Sequence, residues 1–411
     1  MSEAALEIGR LGARGDGIAD RPGEAVCVPF ALPGETIRAE VGGGRARLVE
    51  ILKASPDRVR PVCRHFGQCG GCAAQHMSDR LYAQWKQGIV TSAFAHRGIA
   101  AQVAPLRRVG LNSRRRAYLG VMRRGIKAVI GFREEGSHTL VDLAECPVLD
   151  PAIAGAIDRL REMAIVAMPE GRGGRLLVTR LDQGLDVAFD NGRKALSPDA
   201  REKLAALAEA AGVRRLTVAG EAVVETGSLV LTTGGVAVEL PPGAFIQAVP
   251  VAEAMLIEFV LEAAPRKAKK VADLFCGLGT FTFALARGAA VAALDGDRRA
   301  IGALTGAAKR TQGLKPIETR VRDLFREPLS VKELEPFDAV VFDPPRAGAA
   351  AQAERLAKSQ VPVVVAVSCN PATLARDART LVDGGYTMGP VTPIDQFVFS
   401  PHVEVVTTFR R

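Results

Sequence analysis

The stretch KKVADLFCGLGTFTFALA, residues 269–286, decides the fold of this chain. Its apolar run Val271–Phe275 predicts a buried strand, the glycines predict a turn, and a helix is expected from about Thr280 to Arg287. Strand, glycine turn and helix in this order form the unit from which parallel sheets are built, and such sheets bind ligands beyond the carboxyl ends of their strands. The stretch therefore predicts a ligand site at the glycine turn.

The alternation of strand and helix continues towards the C-terminus. Further strands are predicted at Ala290–Asp295, Ile317–Asp323, Phe337–Asp343 and Val361–Cys369. Helices are predicted near 298–310 and from Pro371 to about Asp383. This order predicts an α/β fold with a mostly parallel sheet and helices on both of its faces.

Two carboxylates stand at successive strand ends after the glycine turn. Asp295 ends the second predicted strand, where its side chain can accept hydrogen bonds from ribose hydroxyls, and Asp323 ends the third, within reach of an adenine amino group. Thr282 replaces the third glycine of the dinucleotide fingerprint, and no lysine follows the turn to bind a phosphate. The pattern favours S-adenosylmethionine (SAM) over a nucleotide phosphate.

A cysteine closes the most apolar predicted strand. In the motif SCNP, residues 368–371, the asparagine is a good helix N-cap and the proline suits the first helical position. The thiol of Cys369 is therefore expected near a helix N-terminus, where the helix dipole favours the thiolate. Cys369 is the candidate nucleophile, Glu404 is the candidate general base, and Asp343 is the candidate for orienting the base or the methyl donor.

These groups suit methylation at carbon 5 of a uracil ring. That carbon is a poor nucleophile, but addition of a thiolate to carbon 6 makes an enolate that can attack a methyl donor, after which a base removes the carbon 5 proton. Methylation of exocyclic amino groups uses Asp or Asn, two prolines and an aromatic residue, whereas Arg346 follows the prolines here. Cytosine-5 enzymes commonly use a Pro-Cys dipeptide, which the sequence lacks.

Four other cysteines form a candidate metal site. Cys63, Cys69 and Cys72 lie close together in the sequence, and Cys146 follows far along the chain. Four thiolates fit zinc or an iron–sulfur cluster equally well, although the spacing lacks the paired C-x2-C arrangement of zinc ribbons. The segment 56–74, which carries the first three of these cysteines, is called the cysteine loop. A ligand from residue 146 would join this loop to the central part of the chain and couple metal binding to folding.

The composition favours a basic protein of two or three domains with a polyanionic partner. At 411 residues the chain is too long for one core, and its net charge is +9. Residues 1 to about 55 alternate short apolar runs with glycines and prolines, which predicts a small β-barrel; this barrel and the arginine-rich segment 107–133 are candidate RNA surfaces. Neither a signal-peptide pattern nor an apolar run of membrane-spanning length is present, so a cytoplasmic protein without a membrane or an obligate protein partner is expected.

Together these residues resemble the bacterial RNA uracil-5 methyltransferase family, in particular the branch with an N-terminal TRAM β-barrel and a [4Fe-4S] cluster that methylates large-subunit (23S) ribosomal RNA. The resemblance covers nearly the whole chain, and the family's nucleophile motif matches SCNPATLARD at residues 368–377. It implies Cys369 as nucleophile and Glu404 as general base. The SAM contacts that it implies are Gln247, Phe275, Thr280, Asp295, Asp323 and Asp343. The chain departs from the family where Val249 replaces the asparagine of an F-Q-x-N pattern and where Asp295 replaces the usual Glu.

The resemblance also implies how the chain is organised. A TRAM-like or OB-like barrel is expected at 1–55, a central α+β domain with the cluster at 56–240, and a Rossmann-like SAM-binding domain at 241–411, against which the helix within 75–106 packs. The implied ligands of the [4Fe-4S] cluster, which is favoured over zinc, are Cys63, Cys69, Cys72 and Cys146. Two alternatives remain: a tRNA uridine-5 methyltransferase, and a non-catalytic, metal-dependent RNA-binding or assembly factor with a relic SAM fold.

Overall fold

A computed structural model describes residues 2–21 and 23–411 of the protein. Within these residues, no helix combines the length and the apolar character that crossing a bilayer requires. The chain begins with the short strands β1 (Ser2–Glu7), β2 (Arg10–Leu11), β3 (Gly17–Arg21), β4 (Glu24–Val28), β5 (Thr36–Gly42) and β6 (Arg45–Lys53).

This N-terminal sheet closes on itself. Its strand order is β1-β5-β6-β4-β3-β2, so β1 and β2, which follow one another in the chain, stand at opposite ends of the order. The two residues between them continue this pairing without a break, one beside β5 and the other to β3, the neighbours of β1 and β2 in the strand order. The N–H of Ile8 donates to the carbonyl oxygen of Glu35 at 2.9 Å, and the N–H of Gly9 donates to that of Ile18 at 3.0 Å. The closed sheet has the form of the small barrel that the turn-rich sequence predicts.

The chain then forms α1 (Asp79–Ala95) and β7 (Arg107–Arg108) before it enters a central sheet. The central elements are β8 (Arg116–Arg124), β9 (Lys127–Gly131), α2 (Pro151–Ala167), β10 (Gly173–Leu181), β11 (Gly184–Asp190), α3 (Pro198–Ala210), β12 (Val213–Val218) and β13 (Glu221–Glu225). The strand order is β13-β12-β11-β10-β8-β9. Leu119 and Leu176 of the sheet share an apolar core with Leu160 of α2 and Leu204 of α3, so both helices cover the same face.

The C-terminal region follows the hairpin of β14 (Val230–Thr233) and β15 (Val236–Glu239). Its helices are α4 (Pro250–Ala263), α5 (Thr282–Leu285), α6 (Arg298–Arg310), α7 (Val331–Leu334), α8 (Ala350–Ala357) and α9 (Pro371–Asp383). Its strands are β16 (Lys270–Leu274), β17 (Ala290–Asp295), β18 (Ile317–Val321), β19 (Ala339–Phe342), β20 (Val363–Ser368), β21 (Thr387–Met388), β22 (Thr392–Asp395) and β23 (Glu404–Arg410).

The C-terminal strands form one sheet in the order β18-β17-β16-β19-β20-β23-β22-β7, with β21 beside β23. The strands from β18 to β20 are parallel to one another, whereas β23 is antiparallel to both β20 and β22. Helices bury an apolar core on each face, one around Leu274 and Leu374 and the other around Leu256 and Val365. The predicted mostly parallel sheet with helices on both faces is confirmed.

Helix α1 packs on this C-terminal region although it precedes the central sheet in the chain. Val90 and Phe94 of α1 lie in the same apolar core as Leu374 of α9. The strand β7, which follows α1, pairs with β22 in parallel and extends the same sheet. The segment between the barrel and the central sheet is therefore part of the framework around the strand ends.

The predicted strands agree with the structure to within about two residues at each end, and two of the differences at the carboxyl ends concern predicted site residues. β16 stops at Leu274 because Phe275 has a φ of 59°, which lies in the left-handed region outside a strand. β18 stops at Val321, so Asp323 belongs to the connection after it. Phe275 and Asp323 therefore lie in loops beyond the carboxyl ends of their strands, where parallel sheets bind ligands.

Candidate active site

A cavity of about 940 Å³ lies beyond the carboxyl ends of β16, β17, β19 and β20. Residues of the cysteine loop, the central sheet and the C-terminal region all contribute to its wall. It is lined by every site residue that the sequence predicts: Cys63, Cys69, Cys72, Cys146, Gln247, Phe275, Thr280, Asp295, Asp323, Asp343, Cys369 and Glu404. The fold thus brings together residues from widely separated segments.

The glycine turn after β16 forms one end of this cavity. Gly277 has a φ of 53° and Gly279 a φ of 95°, values that residues with a side chain rarely adopt. A Cβ atom on Gly279 would lie 2.6 Å from Cε2 of Phe283, whereas one on Gly277 would meet no atom within 4 Å. Asp295 fixes the turn, because its Oδ2 accepts the N–H of Gly277 at 2.9 Å and its Oδ1 accepts the N–H of Asp297 at 2.8 Å. The turn therefore presents backbone to open space beside a carboxylate.

An aromatic pair and a second carboxylate lie next to this turn. The rings of Phe275 and Phe325 are 5.3 Å apart between centroids, and Phe325 remains 48% exposed. Oδ1 of Asp323 accepts the N–H of Phe325 at 3.0 Å, so the carboxylate and the ring are held together. A partly exposed ring beside a carboxylate suits a heterocycle with an exposed amino group.

Asp273, near the end of β16, is a buried carboxyl group that bonds to the start of the helix after the glycine turn. Its Oδ2 accepts the hydroxyl of Thr282 at 2.5 Å. Within the described part of the chain its Oδ1 has no hydrogen-bond partner. Burial raises the pKa of Asp273 to about 7, with smaller contributions in the same direction from Asp343 and Asp295. Sequence reasoning placed Asp273 in the turn motif but gave it no role.

Cys369 lies between β20 and α9, as predicted, and is half-buried. Asn370 caps α9 by accepting the N–H of Ala372 at 3.1 Å. Burial, together with the nearby carboxyl groups of Glu404 and Asp343 and against a smaller lowering by Arg346, raises the pKa of the Cys369 thiol to about 11. The expectation that the helix N-terminus would favour the thiolate is therefore wrong for this structure, because burial and two carboxyl groups outweigh the helix dipole.

A chain of side-chain amides joins the two carboxyl groups near Cys369. Nε2 of Gln396 donates to Oε2 of Glu404 at 2.6 Å and to Oε1 of Gln247 at 3.0 Å. Nε2 of Gln247 in turn donates to Oδ2 of Asp343 at 3.0 Å. Burial raises the pKa of both Asp343 and Glu404, and repulsion from Asp343 raises that of Glu404 further. This end of the cavity therefore holds two carboxyl groups that take up protons more readily than usual.

The loop that carries Gln396 and leads to Glu404 is fastened by residues from the first quarter of the chain. Nζ of Lys86, fully buried on α1, donates to Oδ1 of Asp395 at 2.8 Å. The hydroxyl of Tyr82 donates to Oδ2 of Asp395 at 2.6 Å and accepts the N–H of Phe399 at 2.9 Å. The carbonyl of Phe399, a residue with a φ of 61°, accepts the N–H of Ala73 at 2.7 Å. This loop, called the base-bearing loop because it leads to the candidate base Glu404, is thus bonded to α1 and to the cysteine loop.

The four cysteines of the predicted metal site line the same cavity. The N–H of Cys63 donates to Oε1 of Gln75 at 3.0 Å. Burial, with smaller contributions from the thiols of Cys146, Cys69 and Cys63, raises the pKa of Cys72 to about 12. In residues 2–21 and 23–411, no three His, Cys, Asp or Glu side chains are arranged to hold a metal ion. The structure thus brings thiols from two distant segments to one place.

Known proteins resemble this chain over almost its whole length. A Brucella suis protein described as an uncharacterized RNA methyltransferase is 45% identical over 406 residues, which cover 99% of this chain and 97% of that protein. The 23S rRNA (uracil(1939)-C(5))-methyltransferase RlmD of Chromohalobacter salexigens is 34% identical over 429 residues, which cover 99% of this chain and 89% of that enzyme. A profile of the family described as tRNA (Uracil-5-)-methyltransferase matches residues 315–411. The chain belongs to the RNA uracil-5 methyltransferase family.

The likeness to this family extends to the fold. The crystal structure of Pyrococcus abyssi tRNA (uracil-54, C5)-methyltransferase in complex with S-adenosyl-L-homocysteine matches with a TM-score of 0.76 at 25% identity, covering 98% of this chain and 99% of that one. The predicted methyltransferase fold is therefore confirmed, as is the predicted class, a SAM-dependent RNA uracil-5 methyltransferase.

Three cavity residues of this uracil-5 methyltransferase were missed by sequence reasoning. Phe325 follows Asp323 by two residues, and an aromatic side chain so close to a strand-end carboxylate was a usable signal. Gln396 had no local signal, because its partners Gln247 and Glu404 reach it only through the folded sheet. His402 lines the cavity beside Arg346, whose Nη2 lies 2.7 Å from its Nδ1.

Proposed function

We propose that this protein transfers a methyl group from SAM to carbon 5 of a uridine in RNA, with Cys369 as nucleophile and Glu404 as general base. The observation that supports this most directly is that both side chains line one cavity and lie close enough for Glu404 to raise the pKa of the Cys369 thiol. Carbon 5 methylation needs a thiol and a base that reach the same ring. The glycine turn and Asp295 lie in the wall of that cavity.

The proposed reaction begins when Sγ of Cys369 adds to carbon 6 of the uracil ring and the thiol proton goes to solvent. The electron pair of the 5,6 double bond moves towards carbon 5 and the carbonyl at carbon 4, and carbon 5 then takes the methyl group. Ionised Glu404 removes the proton from carbon 5, the double bond re-forms, and Sγ of Cys369 leaves. Sγ of Cys369 leaves as a thiolate and takes a proton from solvent, and Glu404 gives its proton to solvent, so both side chains regain their starting states after each turnover.

The surroundings of the two groups suit these roles. Burial and Asp343 raise the pKa of Glu404, which makes its ionised form a stronger base than an exposed carboxylate. The amide of Gln396 donates to Oε2 of Glu404 at 2.6 Å and so fixes the direction in which the carboxyl group points. Burial and the nearby carboxyl groups raise the pKa of the Cys369 thiol, so the thiol has to lose its proton as Sγ adds to the ring.

SAM is proposed to lie against the glycine turn, and when bound it supplies the methyl group. The residues present fit it: Gly277 faces open space, Asp295 offers a carboxylate to the ribose, and Asp323 offers one to the adenine amino group. The remaining proposed contacts are Gln247, Phe275, Thr280 and Asp343.

The cysteine loop is proposed to hold a [4Fe-4S] cluster through Cys63, Cys69, Cys72 and Cys146. Cys63, Cys69 and Cys72 each have a pKa raised by burial and by neighbouring thiols, Cys146 among them, so the four side chains lie close together. Four thiols in one place match the ligand set of such a cluster, since iron would stabilise them as thiolates. Methyl transfer needs no electron, so the proposed role is structural. The N–H of Ala73, next to Cys72, bonds to the base-bearing loop. Loss of the cluster would therefore be expected to disturb the base-bearing loop first.

The proposed target is a uridine of 23S rRNA. RlmD, which is 34% identical across almost the whole chain, is named as a 23S rRNA methyltransferase. The cysteine pattern of this chain also resembles that of the ribosomal branch of the family. The N-terminal barrel and the arginine-rich segment 107–133 are the proposed RNA surfaces, with the barrel at 1–55, a central domain at 56–240 and a catalytic domain at 241–411. A tRNA uridine is the second candidate, because the structural relative with a TM-score of 0.76 is named as a tRNA methyltransferase.

The proposal is tested by tritium release from RNA labelled at carbon 5 of uridine, with 23S rRNA and tRNA transcripts compared in parallel. Wild-type protein and Arg159→Gln, an exposed substitution on α2 outside the proposed RNA surfaces, should release tritium from rRNA at equal rates. Cys369→Ala should lower the rate by at least about 10³-fold and still bind SAM. Turnover by Cys369→Ala would contradict the proposed nucleophile.

The same assay addresses the non-catalytic alternative. Tight binding of RNA by the wild-type protein without tritium release would favour an RNA-binding factor with a relic SAM fold. RNA containing 5-fluorouridine adds a direct readout, because fluorine cannot leave as a proton and the covalent adduct with Cys369 should persist. Absence of the adduct in Cys369→Ala, with its presence in Arg159→Gln, would assign the linkage to Cys369.

A further inference from the structure

The central sheet has one face covered by helices and one face that carries an arginine–aromatic patch. Ala117 and Leu119 of β8 point into the core beneath α2, so Tyr118 between them points to the opposite face, where it is 45% exposed. The Cζ atoms of Arg116 and Arg175 lie 5.0 Å and 5.4 Å from the centroid of the Tyr118 ring. These three residues are called the Tyr118 patch.

The Tyr118 patch adjoins the reaction site. Arg116 and Tyr118 line the same cavity as Cys369. The Cζ atom of Arg116 also lies 5.7 Å from the ring centroid of Phe245, another exposed aromatic side chain on the cavity wall. A ligand that enters the cavity with one group therefore has an exposed aromatic surface beside it for the next group.

The charge of the patch is only partly neutralised. Arg175 is paired with Asp190 at 3.0 Å. In the part of the chain that the structure describes, no carboxylate lies within 4 Å of Arg116, and its buried Nε has no hydrogen-bond partner. Its Nη2 donates only weakly, to the hydroxyl of Tyr118 at 3.3 Å. An arginine without a counterion, between two exposed rings, suits an anionic ligand with a flat ring.

A nucleotide of single-stranded RNA has this chemistry. A target base must leave its stack to reach a cavity, and the neighbouring bases then lose a stacking partner. Aromatic rings and guanidinium planes stack on such bases, and arginines also contact the phosphates between them. An acidic protein segment would satisfy the charge of Arg116 but would leave the exposed ring of Tyr118 without a stacking partner.

We propose that Tyr118, flanked by Arg116 and Arg175, stacks on the base of a nucleotide beside the target uridine and so helps to select the RNA. This inference rests on the proposed function, since it assumes an RNA uridine in the cavity. It predicts that the Tyr118 ring contributes to RNA binding and not to the methyl-transfer step. A ring at this position would read the presence of a base and not its identity, because every base has a stacking face.

The test uses full-length protein and synthetic RNA hairpins that contain the still unmethylated target uridine. In each hairpin of a series, one nucleotide beside that uridine is abasic, at a different position from one hairpin to the next. With intact RNA, Tyr118→Ala should raise KM for RNA by roughly 5- to 150-fold and leave kcat and the KM for SAM nearly unchanged. Tyr118→Phe, which keeps the ring, should stay within about twofold of wild type. Arg175→Gln should raise KM for RNA moderately, while Arg159→Gln on α2 should not.

The abasic series identifies the contact. At one abasic position, Tyr118→Ala and the wild-type protein should have nearly equal KM values, because the base on which the ring stacks is already missing. An equal effect of Tyr118→Ala at every position, or no effect at all, would overturn the stacking proposal while leaving the methyltransferase proposal intact. Failure of the wild-type protein to methylate any of the intact hairpins or rRNA would remove the proposed function and this inference with it.

Discussion

The two ends of the cavity are built in different ways. The end at which SAM is proposed to bind, here the cofactor end, is local: Asp295 bonds Gly277, and Asp273 bonds Thr282, all within the segment 273–295. The end that holds the proposed base Glu404, here the base end, is assembled from distant parts: Lys86 bonds Asp395 across a sequence separation of 309 residues. The comparison indicates that the cofactor end depends on one turn, whereas the base end depends on how α1, the cysteine loop and the final sheet strands pack together.

This difference sets an expectation for mutations. A change in the glycine turn should lower SAM affinity and the stability of the turn itself but leave RNA affinity unchanged, because the contacts of the turn do not reach the other end of the cavity. A change in the anchors of the base-bearing loop should alter stability and turnover while the SAM affinity survives. Four substitutions test the contrast, from the largest expected effect to the smallest.

Lys86→Met should have the largest effect, because it leaves the carboxylate of Asp395 buried without its ion pair. The free energy of unfolding should fall by about 3–5 kcal/mol, and kcat should fall with it. Urea unfolding and steady-state kinetics measure the two changes. The double variant Lys86→Met with Asp395→Asn should recover part of the stability, because the uncompensated charge is gone. A loss of SAM affinity as large as the loss of kcat would break the contrast between the two ends.

Asp295→Asn should weaken SAM binding by about 10- to 100-fold, because hydrogen bonds to a charged group are worth about 1.5–3 kcal/mol. The Asp295 carboxylate accepts two backbone N–H groups, and an amide of the same shape can replace only one of its oxygens. Calorimetric titration with SAM gives the change. Asp338→Asn controls for the loss of a charge alone, since Oδ2 of Asp338 accepts both of its backbone N–H groups, an amide oxygen can keep them, and the residue lies at the opposite end of β16. RNA affinity should be the same in both variants.

Gly279→Ala should cost about 1–3 kcal/mol, because alanine must adopt a φ of 95° with its Cβ 2.6 Å from the Phe283 ring. SAM affinity should fall together with the thermal midpoint. Gly212→Ala isolates the cost of φ alone, since Gly212 has a φ of 66° and open space around it, far from the cavity. Equal SAM affinities in the two variants would show that the close approach to Phe283 has no bearing on the cofactor site.

Glu404→Gln should have the smallest effect on stability, and that effect should depend on pH. Burial raises the pKa of Glu404 above its ordinary 4.5, so the folded protein holds this proton more tightly than the unfolded chain does. Ionising Glu404 therefore destabilises the fold as pH rises from 4.5 through the raised pKa. The midpoint of the variant relative to wild type should rise between pH 5 and pH 9, by roughly 2–4 °C per kcal/mol. A difference independent of pH would contradict the raised pKa.

Much of the fold and site could be predicted because its signals are local. The apolar run before Cys369 and the glycine turn after Leu274 fix strand ends within a few residues. Phe275 was assigned to a strand, because its left-handed φ is imposed by the turn and leaves no trace in the residue type. The pKa of the Cys369 thiol was predicted in the wrong direction, because the sequence shows the helix N-terminus but not the carboxyl groups that the sheet brings beside it.

The sequence by itself determined the alternation of strand and helix, the glycine turn, the strand-end carboxylates and the identity of the candidate nucleophile. These follow from hydrophobic period, turn chemistry and capping, which act over a few residues. Only the tertiary structure decided that Gln396 links Glu404 to Gln247, that Lys86 anchors their loop, and that the cysteines share the cavity. Such contacts form when sheet order and packing place distant segments side by side, and no local pattern encodes that placement.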